Sequence, residues 1–226
     1  MPEEMITYSS NGGTATGYLS PPAGNKGPGV VVIQEWWGLV PHIKSVADRL
    51  AEAGFLALAP DLYHGKVTTS PDEAGKLMMA MNIDQAEQEI GGAVTHLKSH
   101  EMNSSGKVGT VGFCMGGALS LYAASKNPDV SACVIFYGGH PKVQPDLPAL
   151  EAQVLGLYAE NDGFVTVASV QDLERKLKGL GKDCKFHIYP GVDHGFFNDE
   201  RPQVYNKAAA EDAWKRTIDF FRKYLT

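Results

Sequence analysis

Short apolar runs rich in Val, Ile and Leu recur along the chain, and stretches of helical periodicity separate them. GVVVIQE (29–35), FLALAPD (55–61), KVGTVGF (107–113), SACVIFYGG (131–139), AQVLGLYAEND (152–162) and DCKFHIYPG (183–191) read as strands. A strand apolar on both faces must be covered on both faces, which is the condition of a parallel sheet between two layers of helices. The intervening helices are PHIKSVADRLAEAG (41–54), DQAEQEIGGAVTHLKSH (84–100), a segment from Met115 to about Ser125, a segment at about 166–180, and a final one from Tyr205. In the first of these, Ile43, Val46, Ala47 and Leu50 share a face, with Pro41 near its start and Gly54 at its end. MITYSS (5–10) and TATGYLS (14–20) alternate like a two-stranded antiparallel edge. The expected class is α/β, with a mostly parallel sheet covered by helices on both faces. No repeat, low-complexity tract or linker interrupts the chain, and its longest Pro/Gly-rich patch, SPPAGNKGPG, covers only 20–29. One domain over 1–226 is expected.

Sheets of this kind carry function in the loops at the carboxyl ends of their strands. The sharpest signal there is Gly112-Phe113-Cys114-Met115-Gly116-Gly117, directly after the strand 107–113 and at the start of a helix. This is the glycine–nucleophile–glycine turn, with cysteine as the nucleophile. A free helix N-terminus supplies N–H groups and partial positive charge that favour a thiolate and then an oxyanion. A cysteine beside a glycine-rich helix start can also be plain packing. The strand–turn–helix context favours chemistry.

A cysteine nucleophile needs a base, and the base needs an orienting group. Chain order in such sheets runs nucleophile, acid, histidine. Asp162 follows Cys114 by 48 residues (162 − 114), just past AQVLGLYAE, and His194 follows Asp162 by 32 (194 − 162), just past FHIYPG. Asp193 is adjacent to His194 and poorly placed to meet its ring. Glu160 still belongs to the strand end and ranks behind Asp162. Gln34-Glu35-Trp36-Trp37-Gly38 closes the first buried strand. A carboxylate there is partly desolvated, which calls for a reason. Glu35 either pairs with a helix start or an arginine, or contacts Cys114 and biases its protonation. The amides of Trp36 and Met115 are the expected oxyanion hole.

Trp37, His64, Tyr137 and Arg201 are candidates for the substrate pocket, and His140 also follows a strand. His42, His96 and His100 lie in helical patterns and read as surface residues, and His187 lies mid-strand. No histidine pair has a metal-binding spacing, so neither metal nor cofactor is expected. Cys133 and Cys184 fall inside strand patterns and read as packing residues.

Composition narrows the partners. The chain has 20 Lys+Arg against 26 Asp+Glu, a net charge of −6, and no basic run suited to nucleic acid. No apolar stretch reaches the ~18 residues a membrane helix needs. The start, MPEEMITYSS, lacks the basic and apolar regions of a signal peptide. Three cysteines cannot all pair within one chain. A cytoplasmic monomer or small homo-oligomer acting on a small molecule is expected.

With Glu35, Cys114, Asp162 and His194 in place, the chain resembles the dienelactone hydrolase (carboxymethylenebutenolidase) family. The resemblance runs nearly end to end through QEWWG, LAPDLYHG, GFCMGG, YAENDGFV and YPGVDHGF. It implies an α/β-hydrolase fold with Cys114 as nucleophile, His194 as base and Asp162 as its orienter. It also implies that Glu35 interacts with the resting thiol and helps form the thiolate once substrate binds. The founding enzymes hold a substrate carboxylate with two arginines, one of them four residues after the histidine. Here that position is Asn198, and 65–83 contains only Lys66 and Lys76, while Arg201 lies three residues beyond Asn198. The implied reaction is hydrolysis of a lactone or activated ester through a thioester. A general carboxylesterase or thioesterase, and a non-catalytic ligand-binding or redox-sensing scaffold, are the competing expectations.

Overall fold

The computed structural model describes residues 4–226. Residues 1–3, which open the segment MPEEMITYSS and the expected domain, lie outside the described residues. Among the described residues, eight strands form one sheet in the order β1-β2-β4-β3-β5-β6-β7-β8. They are β1 Glu4–Ser10, β2 Gly13–Ser20, β3 Gly27–Ile33, β4 Leu56–Pro60, β5 Asn103–Phe113, β6 Val130–Phe136, β7 Gln153–Ala159 and β8 Cys184–Tyr189. β1 and β2 form an antiparallel pair, β2 runs antiparallel to β4, and all later pairs are parallel. The helices are α1 Pro41–Glu52, α2 Pro71–Ala80, α3 Ile83–Ser99, α4 Met115–Lys126, α5 Val167–Gly179 and α6 Lys207–Leu225. This is the α/β architecture expected from the sequence. No helix among the described residues is long and apolar enough to cross a membrane.

The burial pattern explains why the strands read as unbroken apolar runs. All seven residues of β3 are buried, as are all five of β4. Each fully buried Val, Leu or Ile contributes roughly 1.5–3 kcal/mol relative to exposure. α4 is buried nearly all round, because Gly116, Gly117, Ala123 and Ala124 let it lie close against β5 and β6. α1 turns only one side inward, the face of Ile43, Val46, Ala47 and Leu50.

Register sets where function can sit. Ile33 pairs with Gly112, Phe113 with Phe136, Phe136 with Leu157, and Ala159 with Tyr189. Six parallel strands, β4 included, therefore end along one rim, and the loops bearing Glu35, Cys114, Tyr137, Asp162 and His194 all leave from it.

Two expectations change. Helix α2 lies in a segment read only for its lysines. Its signal is Ser70-Pro71-Asp72-Glu73, with proline at the first helical position and acidic residues in the first turn. His42 is buried rather than a surface residue, because it lies on the inner face of α1 between Phe113 and Phe197. Its Nδ1 lies 3.1 Å from Asp199 Oδ1.

Candidate active site

Cys114 sits at φ 53° and ψ −119°, a conformation L residues rarely adopt, between the end of β5 and the start of α4. The flanking glycines are sterically required. A Cβ on Gly112 would lie 1.9 Å from the Gly116 carbonyl oxygen, and one on Gly116 would lie 2.4 Å from the carbonyl oxygens of Ile33 and Gln34. The turn is locked from outside as well. The Cys114 N–H donates to the Phe136 carbonyl at 3.0 Å, and its own carbonyl accepts from Gly139 N–H at 3.2 Å.

The acid and histidine loops are tied together before their side chains meet. Glu160 N–H donates to the Tyr189 carbonyl and Asn161 N–H to that of Val192, while the Glu160 carboxylate accepts from Gly191 N–H at 2.7 Å. Glu160 thus braces the loops. Asp193 is exposed. Asp162 Oδ1 accepts from the Phe164 and Val165 amides at 2.8 Å each, which aims Oδ2 at His194 Nδ1, 2.5 Å away. Burial alone would raise the Asp162 carboxyl, but its bonds to His194, Val165 and Phe164 bring it below the usual range. Burial alone would lower His194. Hydrogen bonds to Asp162 and Cys114, with the attraction of both groups, push it up instead to about 10. Cys114 and His194 line the same cavity.

Glu35 is only 3% exposed. Its Oε2 accepts from Asn198 Nδ2 at 2.8 Å and its Oε1 from the Tyr137 hydroxyl at 3.4 Å. Asn198 Oδ1 accepts from Glu200 N–H at 3.1 Å, which turns its amide nitrogen toward Glu35. Asn198 therefore holds Glu35 at the position where the founding enzymes carry an arginine. Tyr137 is wholly buried beneath the site, its ring 4.9 Å from that of His194, and burial followed by the Glu35 charge raises its hydroxyl well above the ordinary value.

These groups border a cavity of about 210 Å³ in which Glu35, Cys114 and His194 meet Trp36, Trp37 and Arg201. Met78 from α2, together with Phe164 and Gly195, completes the wall. The Arg201 guanidinium lies 5.0 Å over the Trp37 ring, a cation–π contact that steadies it. Neither the Trp36 nor the Met115 amide donates in the turn and cap hydrogen bonds around it. His64 does not reach this cavity. Asp61 draws its loop into a turn, and the ring points to Glu89 at 2.8 Å, in a separate depression with Leu77 and Met81. Tyr137 lies under the cavity rather than in its wall. Met78 and Phe164 escaped the sequence reading. The α2 start signal pointed to a helix carrying Met78, and nothing local marked Phe164.

A sequence profile of the dienelactone hydrolase family matches residues 15–225. The chain belongs to the dienelactone hydrolase family. It is 36% identical to a protein of Aquifex aeolicus named "Putative carboxymethylenebutenolidase", covering 98% of this chain and 99% of that one. It is 41% identical to Protein usf of Aquifex pyrophilus, over 99% of both. A crystal structure from Klebsiella pneumoniae, named "Putative Dienelactone Hydrolase", superposes with a TM-score of 0.88 at 28% identity, covering 98% of each chain. The fold is that of the α/β-hydrolases. As a dienelactone hydrolase family member, this chain is a hydrolase.

Proposed function

We propose that Cys114, His194 and Asp162 act as nucleophile, base and orienter in hydrolysis of a small lactone or activated ester through a thioester. The observation that carries this reading is the 2.5 Å contact of His194 with Asp162 at the mouth of the cavity that holds Cys114. The Cys114 thiolate attacks the substrate carbonyl carbon, and the Trp36 and Met115 amides receive the oxyanion. The carbon–oxygen bond to the leaving group breaks, and the leaving oxygen takes the His194 proton. Once the thiol is acylated, the Cys114 charge that raised His194 is gone. The ring then accepts a proton from water, whose oxygen attacks the thioester. Release of the acid restores the thiolate.

A thiolate leaves more readily than an alkoxide, so the tetrahedral adduct of an ordinary alkyl ester falls back to reactants. Enol lactones and aryl esters avoid this because their leaving group is stabilised. Asn198 and Tyr137 hold Glu35 in the cavity that Cys114 also lines, and Arg201 is a cation available in the wall to a substrate carboxylate. The apolar wall of Trp36, Trp37, Met78 and Phe164 also fits a carboxylesterase acting on aryl esters. A catalytic thiol suits a reducing cytoplasm, and all three cysteines are free.

The test is hydrolysis of a dienelactone and of p-nitrophenyl acetate by the wild type and Cys114→Ala. Lactone cleavage that disappears in the variant supports the reading. Cleavage of the aryl ester alone moves the substrate to the carboxylesterase class. Turnover retained by the purified variant removes Cys114 from the mechanism.

A further inference from the structure

Beyond Phe164 lies a second cavity of about 350 Å³, between the turn after β6 and the start of α5. Pro141, Val165, Val170 and Leu173 form its apolar walls, with Tyr158 contributed by β7. An adjoining lobe of about 210 Å³ continues toward α4 and shares Gly138, Gly139, His140, Tyr158 and Leu173 with it. Neither hollow contains a residue of the triad.

Two features connect this space to the catalytic cavity and to a ligand. Phe164 lines both, so one aromatic ring is their common border. That ring is 57% exposed, a large apolar surface left for something to cover. Gly139 keeps the border in place, since a Cβ there would stand 2.6 Å from Val165 Cγ2 and 3.0 Å from Phe164 Cε1.

The position of Phe164 decides which part of a substrate passes over it. Its ring meets His194 edge-on, with centroids 6.2 Å apart. His194 is the group that hands a proton to the leaving oxygen, so the leaving group departs on the Phe164 side. We propose that the second cavity binds an apolar tail on the leaving phenol or enol of the substrate. The favoured substrates are then esters of tailed phenols or enols. This rests on the reading of Cys114 and His194 given above.

The experiment compares p-methylphenyl acetate with p-hexylphenyl acetate, whose leaving groups are nearly equal in acidity and differ in the tail. The hexyl ester is expected to show kcat/KM about tenfold higher or more, the scale apolar pockets achieve. Leu173→Trp, or Ser169→Phe at the exposed rim should the first not fold, should erase that preference while leaving the methyl ester within about twofold. Binding of p-hexylphenol by calorimetry gives a readout independent of turnover. If the esters are not cleaved but p-hexylphenol binds and Leu173→Trp abolishes binding, the hydrolytic reading fails and the cavity assignment holds. Equal kcat/KM for the two esters, or p-hexylphenol binding indifferent to both blocking variants, overturns the assignment. So does a tail preference that follows the acyl side, read as phenyl octanoate against phenyl acetate.

Discussion

Two turns on the carboxyl rim of the sheet place a non-glycine residue at nearly the same positive φ, Cys114 at 53° and His64 at 52°. They arise differently. Asp61 builds the His64 turn locally, its carboxylate accepting from the Tyr63 and Gly65 amides while its carbonyl accepts from His64 N–H. Asp in such a turn is ordinary local chemistry, and the His64 side chain is 56% exposed. At Cys114 no side chain caps the helix. The conformation is imposed by β6 and the turn after it, through Phe136 and Gly139. An unusual backbone angle therefore points to chemistry when distant elements enforce it and the side chain meets a titratable partner in a cavity.

Several measurements would break or sharpen that contrast. Cys114→Ala should lower kcat by at least ~10³, the scale seen when a nucleophile is removed, with the circular dichroism spectrum unchanged. His64→Ala should leave kcat within about twofold, and a large loss there would erase the distinction. Asp162→Asn keeps the size of the side chain but removes the charge that orients His194. A drop in kcat of ~10²–10⁴ is expected, and a near-normal rate would show that Asp162 does not orient the base. Asn198→Ala frees Glu35 from its shortest bond and leaves a buried carboxylate oxygen unpaired. The expected cost is ~1–3 kcal/mol in denaturant unfolding, together with a fall in kcat/KM that Asn198→Gln does not fully restore.

Backbone strain offers a smaller test. Cys114→Gly should raise stability by ~1–3 kcal/mol through relief of its backbone angles, and by more than His64→Gly, which also gives up the pair with Glu89. The smallest effect is in protonation. In Cys114→Ala the His194 ring, followed by NMR, should titrate lower than in the wild type, because Cys114 is one source of the rise. A raised histidine adds stability that is fully present below its ordinary 6.5 and fades as pH climbs through about 10. Asp162 has the opposite sign, its contribution being present above 3.8 and lost as pH falls through its lowered value. A pH–stability profile of Asp162→Asn that matches the wild type would contradict both.

Much of the fold was legible because burial on two faces leaves its mark residue by residue. The runs GVVVIQE and FLALAPD became β3 and β4, shifted by one or two residues at their ends. The antiparallel edge of β1 and β2 was equally legible from its alternation. α2 had a start signal but weak amphipathicity, with only Ala74 and Met78 buried. His42 was misjudged because helical spacing shows which residues share a face and not which face turns inward.

The sequence by itself determined the turn at Cys114, since only glycine fits at 112 and 116, and the order in which Cys114, Asp162 and His194 leave the sheet. It could not show that Asn198 would bond to Glu35, 163 positions away. It could not show that the Asp61 turn would carry His64 away from the cavity, or that Phe164 would border two hollows. Those outcomes depend on the parallel register that brings six strand ends to one rim. Local steric rules act over a few residues, whereas a side chain's partner depends on which distant loops the sheet sets beside it.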